Sequence, residues 1–209
     1  MKIGIIGTGN MGSGLGKLWA NQGHEVMFGS RNPDHAKELA RNIEGNVQGG
    51  SYSEAAAFGD TVLLAVPWRG VEEAVSACGS LAGKIVMDCT NPMTPDFMQL
   101  VVGHNSSGAE EIAKIAPEAK VVKAFNHIYA QVIHSSPQFG NQRANVFIAG
   151  DDGDARQTVA NLIKEIGFEP IDAGPLQNAR YLEPLAELCV QLAYVQGMGT
   201  DQAMVLARR

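Results

Sequence analysis

Near the start of the chain, Gly7-Thr8-Gly9-Asn10-Met11-Gly12 has the G-x-G-x-x-G spacing that brings backbone against a pyrophosphate. In that pattern Gly7 permits a tight turn, Gly9 leaves room for phosphate oxygens, and Gly12 lets a helix pack closely on a strand. A helix beginning there adds unpaired N–H groups and a partial positive charge. A second group, Ser30-Arg31-Asn32, stands where an NAD enzyme usually carries Asp or Glu for the ribose 2′-hydroxyl. Arg31 instead suits a 2′-phosphate through a charge-assisted fork, with Ser30 donating beside it. Hydrogen bonds to charged groups contribute about 1.5–3 kcal/mol each, enough to favour NADP(H) over NAD(H) tenfold or more. The alternatives are a glycine turn with no ligand and an Arg31 that only caps a loop.

Such groups need a strand, a glycine turn, a helix and a second strand to hold them, and the sequence supplies that order. Lys2 to Ile6 is a short apolar run, Met11, Leu15, Leu18 and Trp19 recur at helical spacing, and Glu25 to Gly29 follows as a strand. Asn32-Pro33 reads as an N-cap and first helical position, with Ala36, Leu39, Ala40 and Ile43 as the buried stripe. A short strand is expected around Val47, a brief helix over 53–57, and a buried strand from Thr61 to Val66. Pro67-Trp68 ends that strand at the edge where ligands of open α/β sheets lie, so Trp68 either flanks the cofactor or covers the sheet.

Further strands are expected over 84–88, 121–125, 144–149 and 168–172. Helices are expected through Val71–Cys78, from the Ser107/Glu110 capping box, and along Ala155, Val159, Leu162, Ile163 and Ile166. The result is a Rossmann-like doubly wound, mostly parallel α/β sheet, residues 1–172, with a small helical C-terminal domain over 173–209. Residues 91–106 have two prolines and no period, and a loop that long is a candidate cover for a second substrate. His127 lies just past a strand end, as a candidate proton donor or as a hydrogen-bonded structural residue. From Arg180 onward, Arg180, Glu183, Glu187 and Gln191 form one narrow polar stripe on an otherwise apolar helix. A helix so widely apolar buries more than one face, and a homodimer contact is the expectation.

The 209 residues, 45% hydrophobic and 18% charged, suit one sizeable core plus an appendage. A net charge of −6 argues against nucleic acid or an anionic membrane as partner. No apolar run reaches the length of a membrane span, and with a strand starting at Lys2 no signal peptide is expected, so the expected location is cytoplasmic. Cys78, Cys89 and Cys189 are scattered without C-x-x-C and read as reduced core residues; no metal-site spacing is present.

Beyond these readings, Gly-Thr-Gly-Asn-Met-Gly at 7–12, Gly-Ser-Arg at 29–31, Val-Pro-Trp at 66–68, Val-Val-Lys-Ala-Phe-Asn at 121–126 and Asp-Ala-Gly-Pro-Leu-Gln-Asn-Ala-Arg at 172–180 resemble the deazaflavin-dependent NADP oxidoreductases. The cytosolic domain of six-transmembrane ferric reductases is a relative of that family. The resemblance implies hydride transfer between NADPH and coenzyme F-420, or electron transfer from NADPH to a flavin (FMN or FAD). It implies NADP contacts from Thr8, Gly9, Asn10, Met11, Ser30 and Arg31, with Pro67 beside the cofactor and Ala130 near the nicotinamide. Where members often carry Lys, this chain has His35; where members often carry His-Thr-Ile-Pro, it has Asn126-His127-Ile128-Tyr129. The acceptor cleft would form between the strand-end loops and Gly197-Met198-Gly199. Two other readings compete: an NADP-dependent imine or pyrroline-carboxylate reductase, and a non-enzymatic NADP-binding module.

Overall fold

The computed structural model describes residues 1–207. β1 (Lys2–Ile6), α1 (Asn10–Asn21) and β2 (Glu25–Gly29) come first, followed by α2 (Pro33–Arg41), β3 (Val47–Gly50), α3 (Tyr52–Phe58) and β4 (Thr61–Leu64). Next are α4 (Val71–Ala77), β5 (Ile85–Asp88), α5 (Gly108–Ile115), β6 (Lys120–Lys123) and α6 (Ala130–His134). A small hairpin, β7 (Gln138–Phe139) and β8 (Gln142–Arg143), precedes β9 (Asn145–Gly150), α7 (Gly153–Glu165), β10 (Glu169–Asp172) and α8 (Ala179–Val190).

One sheet runs in the order β10-β9-β6-β5-β4-β1-β2-β3. The strands from β6 to β3 are all parallel, the doubly wound arrangement expected from the sequence. The chain winds outward from β1 through β2 and β3, then crosses back to β4, so the order reverses between β1 and β4. In open sheets of this kind, the crevice outside the carboxyl strand ends at that reversal takes the ligand. β9 departs from the parallel pattern, pairing with β6 antiparallel. A parallel return needs a long crossover, and the five-residue α6 with the unanticipated hairpin keeps the chain at the same sheet edge.

Local chemistry sets the boundaries. Asn32 caps α2 by accepting from the Asp34 N–H, with Pro33 in the first turn. α3 begins at Tyr52, earlier than the alanine run suggested, because Ser51 and Glu54 form a reciprocal capping box. β4 stops at Leu64, and the next turn, Trp68–Gly70, is 3₁₀. Residues 91–106 hold no helix, only a bridge between Met93 and Leu100.

Side chains alternate across the sheet into two cores. Ile3, Ile5, Leu15, Trp19, Phe28, Phe125 and Phe168 fill one side. Ile6, Val62, Leu64, Val71, Val75, Val86 and Ile112 fill the other, joined by Leu176 and Ala179 from the segment after β10. Trp19 Nε1 donates to the Leu162 carbonyl at 3.0 Å, tying α1 to α7 inside the first core. Among the described residues no helix is long and apolar enough to cross a membrane.

Two glycines of the first turn are required by contact. Gly7 has φ +118°, and a Cβ there would lie 2.3 Å from the Ala65 carbonyl oxygen. A Cβ on Gly12 would lie 2.2 Å from the Gly7 carbonyl oxygen, so α1 could not start where it does. Gly12→Ala is expected to cost at least about 1–3 kcal/mol of stability by overpacking. Chemical denaturation measures it; an unchanged midpoint would contradict the close packing of turn on helix.

Candidate functional site

The crevice has two ends. At the first, α1 starts beside the β1–β4 reversal with Gly9 as its N-cap. No side chain caps its first N–H groups and no carboxylate sits in its first turn. Nothing lies within 4 Å of a Cβ placed on Gly9, so this glycine alone of the motif's three faces open space. Thr8, Gly9, Asn10 and Met11 are thus on the rim and Gly7 and Gly12 behind it, as the spacing implied. Ser30 and Arg31 follow β2, which pairs with β1, and Arg31 is exposed. His35 is exposed in the first turn of α2, while the neighbouring Lys37 pairs with Asp34 at 3.2 Å. Pro67 lies past the β4 end; the Ala65 carbonyl there touches the Gly7 turn.

Tyr52 is an addition that the sequence did not announce. Its phenol is buried, which pushes its pKa up, and the Arg31 guanidinium beside it pulls the other way. Trp68 settles toward the covering role: it is half-buried against the second core and touches the start of α5.

At the other end stand the carboxyl ends of β5 and β6. Asn91 Nδ2 donates to the Asn126 carbonyl at 2.6 Å, and Asn126 Nδ2 donates back to Asn91 Oδ1 at 3.0 Å and to the Leu182 carbonyl at 2.8 Å. Phe125, just before, has φ +62°, a left-handed conformation that is an outlier for a bulky residue. Such strain is held by its surroundings. Here the ring is fully buried, edge-on to both Trp19 and Phe168. Ala130 opens α6, which is fixed to α1 by His134 Nε2 donating to the Asn10 carbonyl at 2.9 Å. The two ends of the crevice therefore meet through α1 and α6.

Beneath the second end lies a buried ion cluster absent from the sequence reading. Lys123 Nζ donates to Asp88 Oδ2 at 2.7 Å, to the Thr90 carbonyl at 2.8 Å, and pairs with Glu183 Oε1 at 2.7 Å. All three ionised side chains are sealed from solvent. Burial alone would push the Lys123 ammonium down, but the two carboxylates outweigh it and hold its pKa above the ordinary value. Burial raises Glu183, against the pull of Lys123. The β5–β6 register already pairs Asp88 with Lys123, so a charge of each sign at matching apolar strand ends was the available signal. Glu183 could not be found that way, being 60 residues from Lys123 (183 − 123).

His127 is not open to a ligand. It is 4% exposed, its Nε2 donates to the Asn145 carbonyl at 3.0 Å, and its ring packs on Phe147. The donor role is thereby replaced by a structural one. The thiols are likewise inert, with burial raising Cys78 to about 11 and Cys89 to about 12.

Residues 2–92 match the family described as NADP oxidoreductase, coenzyme F-420-dependent. The F-420-dependent NADP reductase of Methanothermobacter thermautotrophicus is 30% identical, over 92% of this chain and 89% of that protein. The chain belongs to this family. A solved structure described as a candidate F-420-dependent NADP reductase from an Arthrobacter species superposes with TM-score 0.89 at 30% identity, covering all of both chains. Rat Metalloreductase STEAP3 is 34% identical over 88% of this chain, which spans only 36% of that longer protein's length.

Burial of His127 has a pH consequence. Its pKa falls from the ordinary 6.5 to about 4, chiefly by desolvation. Between those values the unfolded chain binds a proton that the folded chain refuses, so stability drops as pH falls from 6.5 toward 4. The drop should reach ~3 kcal/mol and level off below, a linkage of about 1.36 kcal/mol per pKa unit. His127→Gln, which keeps an N–H donor, should flatten the denaturation profile across that window; an equal slope in both proteins would refute the assignment.

Proposed function

We propose that the chain is an NADPH-dependent oxidoreductase that moves hydride between NADP(H) and a planar ring acceptor of the deazaflavin or flavin class. The observation that carries this reading is the uncapped, open start of α1 after β1, with Arg31 exposed just past the end of the neighbouring β2. The N–H groups following Gly9 receive the pyrophosphate, with Thr8, Asn10 and Met11 around it. Ser30, Arg31 and His35 hold the 2′-phosphate, Pro67 borders the cofactor, and Ala130 closes the nicotinamide side. Bound NADPH supplies the hydride. The residues of the chain contribute position, bringing the reacting atoms within about 3–3.5 Å of each other and keeping water out. Hydride transfer between two rings asks for no protein nucleophile and little proton transfer, consistent with a buried, neutral His127.

Relatives named F-420-dependent NADP reductase favour coenzyme F-420 as acceptor, relatives named metalloreductase favour a metal ion as the final electron acceptor, and FMN or FAD is the carrier the sequence resemblance implied. The acceptor cleft in this reading lies between residues 91–106, Tyr129–Ala130 and Gly197–Gly199. NADPH oxidation followed by absorbance, with coenzyme F-420, FMN, and FAD plus ferric chelate in parallel, should give turnover with at least one. Tight NADPH binding without turnover on any of them would instead favour the non-enzymatic module. Arg31→Ala should weaken NADPH binding roughly 10- to 100-fold, corresponding to about 1.5–3 kcal/mol, and change NADH affinity less than twofold. Equal losses for both cofactors would remove Arg31 from the 2′-phosphate.

We also propose that the protein is a homodimer. The buried side of α8 carries Ala179, Leu182, Ala186 and Cys189 together with Glu183, and Arg180 pairs bidentately with Glu110. The exposed surface of α8 and of the turns after it presents Tyr181, Leu188, Tyr194, Val195 and Met198 to solvent, at 50–73% exposure. An apolar surface of that kind marks an association site, and a second copy is its occupant in this reading. Light scattering at micromolar concentration should give twice the chain mass, and Tyr194→Glu with Leu188→Glu should halve it; a monomer in the unaltered protein would sink the proposal.

A further inference from the structure

Apart from the Arg180–Glu110 pair with α5, the polar contacts of α8 go to one end of the crevice. Glu183 receives Lys123 Nζ on Oε1, and its two oxygens also accept the Gly108 N–H at 2.8 Å and the Ala109 N–H at 3.1 Å. The Leu182 carbonyl accepts from Asn126, and the Cys189 carbonyl accepts from the Tyr129 hydroxyl at 2.5 Å. Lys123 and Asp88 also hold both main-chain groups of Thr90, since Asp88 Oδ1 accepts the Thr90 N–H at 2.8 Å and Lys123 takes its carbonyl. Thr90 in turn precedes Asn91, whose side chain interlocks with Asn126. None of these bonds reaches Gly7–Gly12, Ser30 or Arg31.

Every donor of the Lys123 ammonium is used, and the cluster carries two carboxylates for one cation, the excess charge lying against the N-terminus of α5. A cluster so completely paired has one geometry, because any shift leaves a buried charge without a partner. It therefore sets the separation of the β5 end, the β6 end and α8 to within the tolerance of a hydrogen bond.

We propose that Asp88, Lys123 and Glu183 are positioning residues that fix the Asn91–Asn126 pair and α8 as the frame in which nicotinamide and acceptor meet. The proposal rests on the oxidoreductase reading above. Its signature is a split between the two ends of the crevice: loss of the cluster lowers turnover and loosens the nicotinamide, and leaves recognition of the phosphates alone.

The test uses Glu183→Gln, and a second protein, Asp88→Asn/Lys123→Met/Glu183→Leu, which removes all the charges together and guards against misfolding by one stranded ion. For each, NADPH affinity, the NADPH-over-NADH preference, kcat with the acceptor active on the unaltered protein, and the isotope effect with NADPH deuterated at nicotinamide C4 are measured. A displacement of about an ångström costs on the order of 10²-fold in rate. The expected result is a kcat lowered 10- to 100-fold with a raised isotope effect on kcat, while affinity and preference move less than twofold. An unchanged kcat and isotope effect in a folded variant would overturn the proposal, as would a parallel loss of NADPH affinity. The fluorescence anisotropy of bound NADPH reports nicotinamide mobility without any acceptor and should fall in both variants. If the unaltered protein turns over no acceptor, the oxidoreductase reading fails, and unchanged anisotropy in the variants then overturns the positioning role separately.

Discussion

An ammonium group with no solvent contact must find all its partners inside the protein, and Lys123 imposes that demand on three separate parts of the chain. Asp88 and Thr90 come from the end of β5, Glu183 from α8, and the α5 N-terminus shares the Glu183 carboxylate. Burying ions is unfavourable unless each is matched in charge and hydrogen bonding, so the cluster adds little net stability for its size. What it adds is a single allowed arrangement. The strand-end loops that border the crevice inherit their spacing from it.

The two ends of the crevice are built on different principles. The end at Gly7–Gly12, where the proposed function seats the phosphates, is main chain: a helix start, three glycines and a turn whose shape follows from backbone sterics. The other end is side-chain carpentry, with reciprocal asparagines, a strained Phe125 and a buried salt cluster. The family match spans residues 2–92, which takes in the whole phosphate end but stops short of Lys123, Asn126 and Glu183. In the proposed reading the grip on the cofactor lies inside that stretch, and the parts that would meet the acceptor lie in the remainder of the chain.

That division also explains what could be read from the sequence. The glycine turn, the Asn32-Pro33 helix start and the buried runs of β1, β4 and β5 are local patterns, each legible within a few residues. The direction of β9 was not, because it depends on how α6 and the hairpin turn the chain back. Nor was the inward face of α8. Arg180, Glu183, Glu187 and Gln191 have the spacing of an ordinary solvated stripe, and only a lysine and a helix start distant in sequence bury Glu183 among them. His127 shows the same limit: a polar residue past a strand end is a site candidate by position and a core residue by its contact with Asn145.

The burial of Glu183 on α8 has a bearing on biosynthesis. Chains emerge from the N-terminus and their domains begin to organise during synthesis, at about 5–20 residues per second. When β6 is complete, Lys123 already has Asp88 in register, yet its second carboxylate and the counter-group for the α5 N-terminus are still 60 residues away (183 − 123). For that interval the nascent sheet holds an ammonium short of one partner and a helix start short of its acceptor. A helix made 60 residues later (183 − 123) thus supplies the carboxylate that the Lys123 ammonium needs before it can be sealed from water.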